Sequence, residues 1–127
     1  MKTVILHKKG EWNHWTKEKI EELEKGEFNT QVGEFLLFEN TQCKVWSIEL
    51  EPGKSLPFHK HNKSYFWTAL NFGTAVSCYN DGRIVENIYE KGDTQFYEGL
   101  NNEHYFIHNL ENKGSTILKF ITVEFIS

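Results

Sequence analysis

The sequence predicts an all-β domain, a sandwich or barrel of jelly-roll type, with one short helix near its start. Three observations predict it. From Gly33 onward, short stretches rich in aromatic and β-branched residues recur between turn residues. Apolar and polar residues alternate within them: in Lys44–Leu50, Trp46, Ile48 and Leu50 share one face, and Val45, Ser47 and Glu49 the other. The chain of 127 residues, with 10 Phe, 5 Tyr and 4 Trp, has the length of one domain and the bulk for one core.

Taken in order, Val4-Ile5-Leu6 is a short strand that could pair with its own sheet or a neighbour's. Thr16 can cap a helix running to Gly26, whose apolar residues Ile20 and Leu23 form one narrow stripe while the charged remainder faces water. Eight strands are expected: 34–38, 44–50, 65–72, 75–79, 83–89, 94–97, 104–110 and 116–125. Asn80-Asp81-Gly82-Arg83 is the clearest turn, an Asp-Gly pair suited to a type I′ hairpin. Glu51-Pro52-Gly53, Lys91-Gly92-Asp93 and Asn112-Lys113-Gly114-Ser115 are further turns. Residues 1–32 read as a strand and helix packed on a barrel formed by residues 33–127, a single domain overall.

Composition narrows the function classes. A net charge of -4 with no basic tract argues against nucleic acid as a partner. No apolar run approaches the ~20 residues that span a bilayer, and the N-terminal apolar run is too short for a signal peptide. Two cysteines, Cys43 and Cys78, make no disulfide framework and read as buried thiols. A soluble, cytoplasmic protein is expected.

Four of the 6 histidines fall in two tight groups, His59 with His61 and His104 with His108. His-x-His on an extended segment puts both imidazoles on one face, with Cα atoms ~6.6 Å apart, a natural two-point grip on a divalent ion such as Fe, Ni, Zn or Cu. The plain alternative is a pair of surface histidines among lysines. On a straight strand His104 and His108 would be ~13 Å apart, so only one of them can join that ion. His7 and His14 are read as bystanders.

The stretch from Gly53 to Gly73, with His59-Lys60-His61 at its centre, resembles the first signature of the cupin family. The glutamate of that signature is missing: Phe66 stands in its place, and Tyr65 fills the shorter spacing variant. The second signature is matched by His108-Asn109-Leu110-Glu111-Asn112 followed by Gly114, which would make residues 99–103 a loop insertion. His104 is the competing register. The resemblance runs from Gly33 to the C-terminus. It is closer still to small cupins linked with bacterial β-alanine degradation, through Leu56–His61, Tyr65–Leu70, Ile107–Asn112 and Phe120–Phe125.

That resemblance implies a cupin-type double-stranded β-helix, a divalent metal held by His59, His61 and His108 (or His104), and a homodimer. Three neutral ligands leave a divalent ion with its full charge, so a small anionic ligand should bind well. Trp46, Phe58, Phe66, Trp67 and Phe106 are expected around the pocket, Phe66 filling the space of the lost carboxylate; barrel core is the competing role for most of them. Tyr65 or His104 would move a proton. Glu98, Glu103 and Glu111 flank the second histidine group as weaker acid–base candidates. Three functions compete: a metal-dependent enzyme on a small organic acid or amino-acid derivative, of oxygenase, isomerase or lyase type; a non-catalytic small-ligand-binding module; or a structural barrel whose role is oligomerisation. The first is preferred because the ligand spacing survives at three points.

Overall fold

The computed structural model describes residues 1–126. Two five-stranded antiparallel sheets face one another. The first has the order β1 (Lys2–His7), β7 (Ile84–Tyr89), β6 (Gly73–Cys78), β9 (Phe106–Asn112), β4 (Ser55–His61). The second runs β2 (Phe35–Glu39), β3 (Cys43–Leu50), β10 (Leu118–Phe125), β5 (Tyr65–Ala69), β8 (Thr94–Tyr97). The alternation read in Lys44–Leu50 holds: Trp46, Ile48 and Leu50 are buried, and Leu118, Phe120, Thr122 and Glu124 face inward from the adjacent β10.

The helix α1 (Lys17–Gly26) begins where expected, the Thr16 hydroxyl accepting from the Lys19 N–H at 3.1 Å. It packs on β4 and β9 from outside the barrel, and Leu23 joins Trp15, Phe58, Cys78 and Ile107 in a small core of its own. The helix ends at Gly26 as expected, although the φ of Gly26 is not positive. Its role is close approach: a β-carbon there would lie 2.6 Å from the Phe58 Cβ. The lack of a side chain lets the helix end lie directly on β4.

Three departures from expectation have local causes. β4 was not anticipated, because Pro57 interrupts it. The strand sits at the sheet edge and carries a bulge between Leu56 and His59, where a missing N–H is tolerated. The Asn80–Arg83 turn is not type I′: only Gly82 has positive φ, and its N–H donates to Tyr79 O at 3.0 Å. Asn80 is held to β9 instead, exchanging hydrogen bonds with the Ile107 backbone. Finally, β9 starts at Phe106, so His104 lies in the preceding loop.

Candidate metal centre

The bulge in β4 decides the site. It shifts the register by one residue, so that His59 stands directly opposite His108 on β9, while His61 lies two residues along on the same face as His59. The three Nε2 atoms converge inside the barrel: His59 to His61 is 3.0 Å, and His61 to His108 is 3.1 Å. His59 and His61 are buried and His108 is half-buried.

Each ring is fixed from behind or beside. His59 donates from Nδ1 to the Pro57 carbonyl at 2.8 Å, which leaves its Nε2 with a bare lone pair. His61 stacks on the Tyr65 ring, centroids 4.0 Å apart and planes 13° off parallel. His108 lies among Phe106 and Tyr79, each 5.1 Å away. Burial pushes the His59 imidazole down to about 4, partly opposed by its bond to Pro57. His61 is driven well below the usual range by burial, then by the two neighbouring imidazoles. His108 follows by burial, His59 and Arg83. All three are neutral at pH 7, the form that binds metals.

The nitrogen geometry fits a shared cation. Nitrogens bound at about 2.0–2.1 Å to one ion stand about 3.0–3.4 Å apart for angles between 95° and tetrahedral. Hydrogen bonding satisfies the trio poorly. With the His59 Nε2 bare, a hydrogen on the His61 Nε2 would be split between two acceptors, and one on the His108 Nε2 would leave the His59 and His61 lone pairs facing each other. The Nδ1 atoms of His61 and His108 have no partner.

His7, Glu11 and His14 also lie close together, although the two histidines were read as bystanders. Their geometry is different. The His7 and His14 rings stack at 3.6 Å with planes 21° apart, so their lone pairs run side by side instead of converging. One Glu11 oxygen already accepts the Lys8 N–H at 2.7 Å. This group closes the turn after β1.

A cavity of about 50 Å³ adjoins the histidines between the sheets, with room for a few heavy atoms. Tyr65, Trp67, Tyr79 and Tyr97 are among its walls. Of the aromatic residues expected to line it, Trp67 does. Phe106 borders a wider groove of about 500 Å³ outside, which shares Tyr79, Asn87 and Tyr97 with the cavity and serves as its mouth. Phe58 lies under α1, and Trp46 donates to buried Glu124 at 3.4 Å away from the cavity. Phe66 faces outward and packs with Phe96 and Phe125. The residue β5 turns toward the histidines is Tyr65, because inward and outward positions alternate along the strand. Its hydroxyl is held protonated by burial first, then by Tyr97 and the other tyrosines. His104 is exposed and apart from the trio, and Glu98 and Glu103 are exposed as well. Glu111 pairs with Lys19 at 2.8 Å on the outer side.

Arg83 had no signal in the sequence beyond following a turn. Its guanidinium lies 4.2 Å over the Tyr79 ring at the cavity mouth; its buried Nε makes no hydrogen bond but faces the Asp81 carboxylate at 3.9 Å. Among the described residues, no Asp or Glu lines the inner cavity. No helix there is long and apolar enough to cross a membrane.

No family model matches the chain, and no curated protein matches it. Solved structures do. A cupin domain from Bordetella pertussis is 20% identical, with 73% of this chain and 91% of that one covered, at a TM-score of 0.62. A cupin-family protein with a double-stranded β-helix fold from Methanocaldococcus jannaschii is 20% identical over 71% of this chain and 75% of that one, at 0.56. A predicted oxalate decarboxylase from Thermotoga maritima is 26% identical over 69% and 70%, at 0.50. With two facing antiparallel sheets and inward histidines from β4 and β9, the chain has the fold of the cupin superfamily, the double-stranded β-helix.

Proposed function

We propose that this protein is a metal-dependent cupin enzyme that holds one divalent ion through His59, His61 and His108 and acts on a small anionic molecule, an organic acid or amino-acid derivative. The observation that carries the reading is the convergence of three neutral Nε2 atoms at 3.0–3.1 Å beside a cavity between the sheets. When bound, the ion supplies a Lewis acid that polarises an oxygen of the substrate or activates oxygen.

The chain's own groups do the rest. Pro57 O and the Tyr65 ring orient two ligands. Arg83 at the mouth attracts and orients a carboxylate as a charge-assisted donor, its Nε making no hydrogen bond and only a long ion pair with Asp81 at 3.9 Å. Tyr65 keeps its proton and can offer it as a hydrogen bond to a developing negative charge beside His61. The tyrosine and tryptophan walls limit the substrate to a few heavy atoms. The name of the Thermotoga relative, a predicted oxalate decarboxylase, and the resemblance of Leu56–His61 to the β-alanine-degradation cupins both support a small carboxylate. The molecule works as a homodimer in this reading.

The test is metal content of untagged protein by elemental mass spectrometry, wild type against His108→Ala, followed by turnover assays with small carboxylic acids. Near-stoichiometric metal that falls in the variant, with turnover in the loaded wild type, is expected. Metal retention unchanged in His108→Ala removes the ligand assignment. Stoichiometric metal with saturable acid binding and no turnover leaves a binding module instead of an enzyme.

A further inference from the structure

The register of the second sheet places one row of apolar side chains across all five of its strands. Phe38 on β2 is opposite Val45 on β3, Val45 opposite Val123 on β10, Val123 opposite Phe66 on β5, and Phe66 opposite Phe96 on β8. Their neighbours Trp46, Thr122, Tyr65 and Tyr97 are directed into the barrel, so this row points out of it. The adjoining row on the same face is Phe35, Ser47, Ile121, Thr68 and Thr94. Phe125 lies on the other side, its ring 6.0 Å from Phe96 and 6.1 Å from Phe66. Charge returns only in the next row, as the opposed pair Glu49 and Lys119.

The first sheet is built differently on its outer face. The comparable row there is Val4, Glu86, Val76 and Glu111, with two carboxylates. Part of that face is covered by α1, anchored by the Lys19–Glu111 ion pair. Nothing among the described residues covers the second sheet. A sheet facing water normally alternates apolar inward with polar outward, and this one is apolar on both sides at its centre.

From this we infer that the outer face of the second sheet is the interface of the homodimer, two copies stacking sheet on sheet about a twofold axis. The inference rests on the homodimer reading above and names the surface. Size supports the choice of a second copy. A face five strands wide measures roughly 24 Å across at ~4.8 Å per strand. Phe35, Phe38 and Phe96, each more than half exposed, leave on the order of 300 Å² of apolar surface in water. The half-buried Val45, Val123, Phe66, Ile121 and Phe125 lie between and beside them and extend that surface toward the ~800 Å² per partner of a stable pair. The chemistry also suits a twofold pairing, in which a patch meets its own image. A central row free of charge meets itself without repulsion, and the Glu49 and Lys119 rim can pair across the axis or remain in water.

The experiment is molar mass by light scattering on size exclusion at tens of micromolar protein, for wild type and for the double variant Phe38→Glu, Phe96→Glu. Both positions are exposed, so the charges do not enter the barrel core. The expected result is twice the chain mass of 15.0 kDa for wild type and the single mass for the variant, with matching circular dichroism and metal content. Wild type at the single mass overturns the dimer itself and with it this interface. Wild type and variant both at twice the mass overturn only the interface and leave a homodimer joined elsewhere. Should the double variant not fold, Phe38→Glu alone, at the sheet edge, must weaken dimerisation at least tenfold in sedimentation equilibrium, and no change there also overturns the interface.

Discussion

Loading the metal-free protein with Zn²⁺ at pH 6 should release almost no protons from its ligands. An imidazole of ordinary pKa, about 6.5, is about three-quarters protonated at that pH, so three such ligands would give up about two protons on binding. Here His59, held down to about 4 by burial, is about 1% protonated at pH 6. His61 and His108 are pushed well below the ordinary range, by burial and then by neighbouring charges. Calorimetric titration in two buffers of different ionisation enthalpy reads the proton count directly, and a value near zero is expected. Release of about two protons would refute the reasoning: it would mean that the three rings are hydrated and charged, and that the barrel interior is open to water. The same shift carries a stability consequence. Because the folded pKa of His59 lies below the unfolded one, the unfolded chain binds the proton first. The stabilisation is complete above about pH 6.5 and is lost as the pH falls toward 4, amounting to about 3 kcal/mol from His59 alone in the metal-free protein. Urea unfolding of that protein at pH 7 and pH 4 measures it.

Two further outcomes follow from residues that touch no ion. Arg83→Gln should weaken binding of a small carboxylate to the metal-loaded protein about tenfold, the loss of roughly one charge-assisted bond, while leaving metal affinity unchanged in competition with a chromophoric chelator. Equal carboxylate affinity in the two proteins would remove Arg83 from the site. Gly26→Ala should destabilise the protein by about 1–3 kcal/mol in urea unfolding, because the new methyl meets the Phe58 Cβ at 2.6 Å and the Ile107 Cγ2 at 3.0 Å. Helix propensity alone predicts the opposite sign, so a stabilised variant would show that α1 can slide on β4.

What was legible in the sequence, and what was not, follows from the range of the interactions involved. The placing of His59 and His61 on one face needs only the two-residue repeat of a strand, and that is local. The Trp46, Ile48, Leu50 face is local in the same way. The strand holding the histidines was not legible, since Pro57 weakens the local signal and the edge position that excuses it is a property of the whole sheet. The competition between His104 and His108 turns on where β9 begins, which the Asn80 bonds to Ile107 and the bonds that the Glu103 and His104 N–H groups donate to Asn101 Oδ1 help to set. Arg83 could not be found at all: its position over Tyr79 depends on the turn conformation, and the Asp-Gly pair pointed to a different turn.

The missing carboxylate has a different meaning once the direction of each side chain on β5 is known. Reading Phe66 as the substitute suggested a site plugged by an apolar ring. The ring instead belongs to the outer face, and the inward position is Tyr65, whose ring lies flat against His61. The space near the histidines therefore stays open as a cavity. Its lining offers no anion: three neutral imidazoles and no carboxylate among the described lining residues, Asp81 near the mouth being paired with Arg83. A divalent ion placed there lacks the anionic protein ligand that would offset it. In a partly desolvated pocket that charge is costly unless an anion accompanies it. A small acid bound beside the ion, as proposed, would complete the site electrostatically. Metal and acid should consequently bind with positive coupling, each raising the affinity for the other by the same factor, and a measured coupling of one would show that the ion's charge is balanced elsewhere.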